Sequence, residues 1–331
     1  MKQPKPFVEI VATGRYLPER IVTNDDLASV VDTSDEWIRE RTGIRERRIA
    51  PADMSAAFMG SEAARCAMTR ARVEPGEVDI LIVSTATPDR LLPSTACDMQ
   101  ALLGASNAMA FDITAACTGF MYGLAMAEGF LATGRGDIAL LVATEKMSGI
   151  VDWQDRTTCV LFGDGAGAVV MRRAVNGTRG ILSQHHRSDG RLGNLLYRKA
   201  GGIGIPIDAG VLERREQYLR MTGRDVFKHA VRSMAEAADF ALQHAGLTGS
   251  DVDLMVPHQA NMRIIEATAK YAGIPMEKVY VNVDRYGNMS SASIPVALDE
   301  AVEEGRLTSG MNLLSVAFGA GFTWGATAMR W

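Results

Sequence analysis

The chain has 331 residues, 47% of them hydrophobic and 22% charged, with a formal net charge of −4. These values fit a soluble globular protein of two domains or one large α/β unit, and exclude a disordered tail, a coiled coil and a disulfide scaffold. The acidic balance also argues against sequence-independent nucleic-acid binding, which needs a basic surface.

Met1 to Ile10 holds two prolines, two lysines and one glutamate, with no apolar run able to serve as a secretory signal. Glu62 to Arg72 has helical periodicity and contains Cys66, and Val78 to Val83 reads as a buried strand. Ala96 to Leu103 is apolar-periodic, and its Cys97 is expected to pack. Cys117 follows the small pair Ala115-Ala116 and precedes Thr118-Gly119-Phe120, a turn opening into helix Phe120 to Leu131; strand Ile138 to Ala143 comes next. Cys159 sits in the strand-like Cys159 to Phe162. Gly163-Asp164-Gly165-Ala166-Gly167 resembles a phosphate loop, but those loops open a helix, whereas Ala168 to Met171 reads as strand, so a tight glycine turn is expected. Asn176-Gly177-Thr178-Arg179-Gly180 supplies a loop, dividing the chain into halves 1–178 and 179–331.

Beyond it, the adjacent His185 and His186 point to opposite sides of an extended segment and cannot share a metal. His229 and His244 lie in charged helical patterns. Asp253 to Val256 is a buried strand that runs through Pro257 into His258. Helix Ser293 to Val302 and strand Leu313 to Phe318 follow. Leu307 to Met329 is uncharged, but Gly310, Asn312, Gly319, Gly321 and Gly325 favour buried strands with tight turns over a membrane span.

The order of elements occurs twice. Glu62-Ala63-Ala64 leads Asp79 by 17 residues, and Glu236-Ala237-Ala238 leads Asp253 by the same 17. Cys117 stands 17 residues before Gly134-Arg135, as Asn288 does before Gly305-Arg306, so counting assigns Cys117 and Asn288 the same place in two related halves. Strands alternating with helices imply mostly parallel sheets with reactive turns at strand carboxyl ends. There a thiol at a helix N-terminus is expected to be stabilised as thiolate, which singles out Cys117. The four cysteines form no CxxC pair, so reduced thiols in the cytoplasm are expected and no metal site is implied. His258, ending a strand in the second copy, is the histidine placed for chemistry.

Three segments carry a resemblance: Asp112-Ile113-Thr114-Ala115-Ala116-Cys117-Thr118-Gly119-Phe120, Pro257-His258-Gln259-Ala260-Asn261 and Gly287-Asn288-Met289-Ser290-Ser291-Ala292-Ser293. With Asp32 to Ile38, Arg41 to Ile44, Phe162 to Ala168 and Phe318 to Gly325, they resemble, over essentially the whole chain, β-ketoacyl-acyl carrier protein synthase III, a thiolase-fold condensing enzyme. The resemblance implies an α/β, thiolase-like, internally duplicated, five-layered αβαβα fold. It implies decarboxylative condensation of an acyl-CoA primer with malonyl-acyl carrier protein, through an acyl thioester on Cys117. Close relatives fit less well: thiolases of the superfamily use a second cysteine in the C-terminal half, and no cysteine follows Cys159; elongating synthases use two histidines, and none follows His258. Hydroxymethylglutaryl-CoA-type synthases need a glutamate base, which the sequence alone does not locate.

Decarboxylating a malonyl thioester leaves negative charge on its carbonyl oxygen, and a histidine Nε2–H and an asparagine amide can donate to it without carrying charge. His258 and Asn288 fit that task, with the backbone N–H groups of Cys117 and, by resemblance, Ala320 serving the tetrahedral oxyanion. The resemblance further assigns Trp37, Arg41, Arg156, Arg224, Asn261 and Arg263 to coenzyme A, and Leu92 to an acyl pocket that a bulkier residue closes in two-carbon specialists. Arg224, Lys228 and Arg232 recur at helical spacing, and with Arg263 and Lys270 are candidates for docking an acidic carrier protein. The thioester is a substrate, so no cofactor is implied; a homodimer is. A same-fold acyltransferase, a condensing enzyme of specialised metabolism with a non-malonyl acceptor, and a non-catalytic partner subunit stay open.

Overall fold

A computed structural model describes residues 7–175 and 177–331. The first six residues of the segment assessed as a leader, and Asn176 of the expected loop, lie outside the described residues. Strands β1 (Val8–Tyr16), β2 (Ile80–Ser84), β3 (Met109–Ile113), β4 (Ile138–Lys146) and β5 (Asp164–Arg173) form one sheet in the order β1-β5-β4-β2-β3. β2 runs parallel to β3 and β4, while β5 is antiparallel to both its neighbours. Strands β6 (Gly180–Ser188), β7 (Leu254–Pro257), β8 (Asn312–Gly319) and β9 (Thr323–Arg330) form the second sheet, ordered β7-β8-β9-β6. A parallel bridge from Met255 to Val279 adds a rung where β3 stands in the first sheet. The two sheets therefore share one topology.

The helices that matter here are α1 (Asp35–Thr42), α2 (Ala56–Ala71), α3 (Thr95–Leu103), α4 (Gly119–Ala132), α5 (Gly223–Ala245), α6 (Met262–Tyr271) and α7 (Ser293–Glu303). Every residue of β2 is buried, as parallel strands covered on both faces require. Its Leu81 and Val83 face α2 and α3, while Ile80 and Ile82 face α4 and α7. α4 and α7 also pack on Leu254 and Val256 of β7, whose Met255 faces the cluster with α5 and α6. The layers run α2/α3, sheet, α4/α7, sheet, α5/α6: the five expected. α7 is buried all round, including Asp299, whose carboxylate binds Arg15 of β1 and Arg70 of α2 and accepts a 2.7 Å hydrogen bond from Thr13. None of the described helices is long and apolar enough to cross a membrane.

The repeat extends to single hydrogen bonds. Asp79 accepts from the N–H of Asp137 and Ile138 entering β4, and Asp253 accepts from the N–H of Asn312 entering β8. Just upstream, the Glu77 carboxylate takes the Glu74 N–H, and the Asp251 carboxylate takes the Thr248 N–H.

Four readings need correction. α4 has 14 residues and α7 has 11, so counting back from Gly134-Arg135 and Gly305-Arg306 slips by one turn. Matched at their helix starts, Ala116 (φ 45°) faces Ser290 (φ 47°) and Cys117 faces Ser291; Asn288 lies three residues earlier. The 163–167 glycines form no tight turn, because β5 begins at Asp164; a side chain at Gly167 would meet Pro295 and Val296 of α7 at 2.8 Å. Cys97 is exposed in the first turn of α3, on the face away from the sheet. Cys159 is buried, but in a turn whose N–H reaches Asp155 O, not in a strand. His185 and His186 do diverge, the first stacking on Phe240 of α5 and the second meeting Tyr122 of α4.

Candidate active site

β3 ends in a 3₁₀ turn, Ala116–Thr118, that leads into α4. Ala116 holds the left-handed conformation that L-residues adopt at some cost, and this bend carries Cys117 to the inner end of a cavity of about 600 Å³. His258 and Asn288 line the same cavity. All three are buried, at 8%, 2% and 7% exposure, whereas Trp37, Arg41, Arg224 and Arg263 line its solvent-reaching part. A larger, more open groove of about 880 Å³ along Arg20, Leu27, Val30 and Trp153 is lined by no cysteine or histidine among the described residues.

The sequence bends sharply at Gly287 (φ 64°), where a side chain would meet Leu161 O at 2.8 Å. This lets Asn288 donate its N–H to Leu161 O and accept at its own carbonyl from Gly163 N–H. The Asn288 Oδ1 accepts from Ser290 N–H at 2.8 Å, which leaves the amide N–H₂ group directed to the cavity. The His258 backbone is fixed to Val316 O at 2.8 Å. Its ring nitrogens, Nδ1 and Nε2, are both buried and without a partner, and burial pushes its pKa down to about 3. The ring is neutral at physiological pH, with one nitrogen free to donate.

The expected thiolate is not favoured. Burial pushes the Cys117 thiol up to about 12; a hydrogen bond from Ser290 opposes the rise and the nearby Glu145 carboxylate adds to it. The helix-terminus reading neglected desolvation, which outweighs a dipole when no cation faces the sulfur. Gly319 packs flat on this turn: a Cβ there would lie 2.8 Å from Cys117 N and 3.0 Å from Thr118 N. Thr118 donates to Thr323 O and Thr323 to Ala115 O, both at 3.1 Å, so the turn and the loop carrying Ala320 are pinned to each other. The Cys117 and Ala320 N–H groups have no backbone acceptor among the described residues.

Around the cavity mouth, Ser34 caps α1 and sets Trp37, whose ring lies under the guanidinium of Arg156 at 5.2 Å and near that of Arg41 at 5.7 Å. Arg156 also donates to Asp32 O at 2.8 Å, and Arg263 to Glu40 O at 3.0 Å. Asn261 caps α6 through Ile264 N–H and lines the cavity with Arg224. Arg224, Lys228, Arg232, Arg263 and Lys270 are all exposed on α5 and α6. Leu92 is the exception: it is 88% exposed, outside the cavity that holds Cys117 in its own chain. No residue of the loop around it, 85–94, lines that cavity.

Two residues escaped the sequence reading. Glu145 is fully buried beside the nucleophile turn, and burial holds its pKa up. It accepts from Ala86 N–H, Thr87 Oγ1 and the N–H and Oγ of Ser291. Gln259, quoted only as part of a motif, is also fully buried. Their partners lie far away in sequence, so no local pattern announces them.

The chain matches the family model for 3-oxoacyl-[acyl-carrier-protein] synthase III over residues 111–190, and the model for that family's C-terminal part over 242–331. It is 51% identical over 324 residues to the β-ketoacyl-[acyl-carrier-protein] synthase III of Symbiobacterium thermophilum, covering 98% of each chain. Identity to that of Caldanaerobacter subterraneus subsp. tengcongensis is 48% over 322 residues and 97% of each. The crystal structure of 3-oxoacyl-[acyl-carrier-protein] synthase III from Aquifex aeolicus VF5 superposes with a TM-score of 0.91 at 47% identity, covering 98% of this chain and 100% of that one. With a shared topology, full-length identity near one half, and a nucleophile turn facing two neutral donors, the chain belongs to the 3-oxoacyl-[acyl-carrier-protein] synthase III family.

Proposed function

We propose that Cys117, His258 and Asn288 perform this family's reaction, the condensation of an acyl-CoA primer with malonyl-acyl carrier protein that initiates fatty-acid synthesis. The observation that carries the assignment is the convergence, in one cavity, of a single thiol with the Asn288 amide and with a His258 ring whose nitrogens have no hydrogen-bond partner among the described residues. In the first half-reaction the Cys117 sulfur attacks the acyl carbonyl, its proton passing to the departing coenzyme A sulfur, while the oxyanion accepts from the Cys117 and Ala320 N–H groups. Coenzyme A leaves as its thiol, and acyl-Cys117 remains.

In the second half-reaction the bond between the malonyl α-carbon and its carboxylate breaks. Carbon dioxide departs, and the electron pair becomes an enolate whose oxygen accepts from His258 and Asn288. The α-carbon then attacks acyl-Cys117, the C–S bond breaks, and the sulfur takes a proton from solvent as 3-oxoacyl-carrier protein forms. Trp37, Arg41, Arg156, Arg224, Asn261 and Arg263 take coenzyme A, by stacking and by charge-assisted bonds to phosphates. Arg224, Lys228, Arg263 and Lys270, with Arg232 beside them, dock the acidic carrier protein. Two chains form a homodimer in which Leu92 of each faces the acyl pocket of the other; the chain divides at 1–178 and 179–331 and works in the cytoplasm.

Incubation with a panel of acyl-CoA thioesters, followed by intact mass, is expected to give one adduct at Cys117. Addition of malonyl-carrier protein then discharges it with release of carbon dioxide. An adduct that forms but never discharges onto the malonyl group would overturn the condensation reading in favour of simple acyl transfer. No adduct at all would overturn catalysis by Cys117.

A further inference from the structure

We infer that Gln259 is a positioning residue that fixes His258 and Asn288 relative to each other, so that decarboxylation and condensation depend on it while acylation of Cys117 does not. This rests on the reading of His258 and Asn288 as the enolate donors. The two come from separate loops, one following β7 and the other following the short helix Val283–Tyr286. Among the described residues neither ring nitrogen of His258 has a hydrogen-bond partner, so no side-chain hydrogen bond fixes the ring and its placement follows the backbone that carries it and the walls around it.

Gln259 joins these loops with one side chain. Its Nε2 donates to Pro257 O at 2.9 Å and Tyr280 O at 3.1 Å, and its Oε1 accepts from the N–H groups of Asn282 at 3.0 Å and Val283 at 3.2 Å. All four hydrogen-bonding positions of the amide are thus used, at zero exposure. One of these bonds holds Pro257, immediately before the histidine, and the other three hold Tyr280, Asn282 and Val283 of the segment that delivers Gly287-Asn288. The far side of that segment is anchored in turn: Asn282 donates to Glu300 at 2.7 Å and Tyr286 OH donates to Glu300 at 2.6 Å, against buried α7. The nucleophile turn is held by a different set of contacts, those of Gly319, Thr118 and Thr323. Gln259 is therefore a strut between the two donors and touches none of the bonds that seat Cys117.

The test separates the half-reactions. Gln259→Met keeps the length of the side chain and removes all four bonds; Gln259→Glu keeps acceptors for Asn282 and Val283 but opposes Pro257 O and Tyr280 O. Acyl transfer from acyl-CoA is followed by intact mass, and carbon dioxide release from malonyl-carrier protein is measured on pre-acylated enzyme. A displacement of the donors by up to an ångström lowers the second rate by about 100-fold. We expect that loss in kcat for Gln259→Met with KM for malonyl-carrier protein little changed, acylation within about threefold of wild type, and Gln259→Glu in between. Equal losses in both half-reactions, or undiminished carbon dioxide release, would overturn the inference. Should Gln259→Met fail to fold by circular dichroism, Gln259→Glu decides by the same two rates. Failure of wild type itself to release carbon dioxide would instead refute the donor assignment on which the inference rests.

Discussion

Gly319→Ala adds one carbon against the backbone that carries the nucleophile. The new Cβ would sit 2.8 Å from Cys117 N, 3.0 Å from Thr118 N and 3.2 Å from Ala115 O, where ordinary contact begins near 3.4 Å. All three are main-chain atoms, so no side chain can swing aside, and the turn must retreat by roughly half an ångström. It cannot retreat freely, because Thr118 and Thr323 tie it reciprocally to the loop from which Gly319 itself extends. Oxyanion donors tolerate about 0.5 Å of misplacement before their effect fades. Loss of one such donor costs about 100-fold or more in rate, roughly 3 kcal/mol. We therefore expect Gly319→Ala to slow acylation of Cys117 by about 100-fold, with a stability loss of about 1–3 kcal/mol from overpacking. The assay is an intact-mass time course beside a thermal melt. Gly129→Ala is the control, since its Cβ meets nothing within 4 Å on the exposed face of α4. Acylation within threefold of wild type and an unshifted melt would refute the close packing of Gly319 as a requirement for the site.

Burial of the Cys117 thiol, pushed up to about 12, predicts that alkylation of free enzyme by iodoacetamide at this residue rises about tenfold per pH unit between 7 and 9.5. It is slower there than at exposed Cys97 throughout, and a plateau below pH 9, read by peptide mass, contradicts the prediction. His258 falls from 6.5 in the unfolded chain to about 3 in the fold, so its neutral form adds stability that is fully present above pH 6.5 and is lost as pH falls towards 3. His258→Gln should flatten the acid limb of the melting temperature across that window; parallel limbs count against it. Asp299→Asn strips the buried carboxylate from Arg15 and Arg70, leaving the exposed Glu303 as their one ion partner among the described residues. Urea unfolding should show a loss of about 3 kcal/mol, and a loss under 1 kcal/mol would show that the bridge between β1, α2 and α7 is marginal.

The alternation of buried strands with amphipathic helices was legible because its periods are local, and so was the duplication, down to the acidic turns at Asp79 and Asp253 that close hydrogen bonds 58 and 59 residues away. Cys117 and His258 stood out as candidates because each follows the end of a strand, whereas Asn288, which follows the short helix Val283–Tyr286, was reached through a slipped repeat count and the family resemblance. Register between the halves was not legible, since three extra residues in α4 leave no mark on the pattern. Desolvation of Cys117 was invisible too: helix position is written in the chain, but the apolar lining of the cavity comes from segments as far apart as Trp37, Phe162, Met234 and Phe318. The placement of Leu92 outside the cavity of its own chain was not legible either, because alignment to a pocket carries no information on a loop's exposure. Apart from Pro257, the partners of Gln259 and Glu145 lie 21 to 146 residues away, contacts that only the fold brings together.

The proton inventory of the cavity bears on which carbon nucleophile it can make. The thiol is protonated and the imidazole neutral, and no aspartate or glutamate lines the cavity among the described residues. Glu145 is the nearest carboxyl, yet each of its oxygens is already engaged by two donors, from Ala86 and Thr87 on one side and Ser291 on the other. Held in this way it braces the turn opposite Cys117 and has no lone pair turned to the substrate. An enolate made by proton abstraction, as in hydroxymethylglutaryl-CoA-type chemistry, needs a free base close to the α-carbon. An enolate made by decarboxylation does not: the electron pair comes from the breaking carbon–carbon bond, and the site need only receive the charge. Two neutral donors in a buried pocket suit that demand better than charged ones, because they hold the oxyanion without a permanent charge to bury between turnovers. The arrangement of His258 and Asn288 opposite a braced, base-free wall thus favours malonyl over acetyl thioesters as the carbon donor.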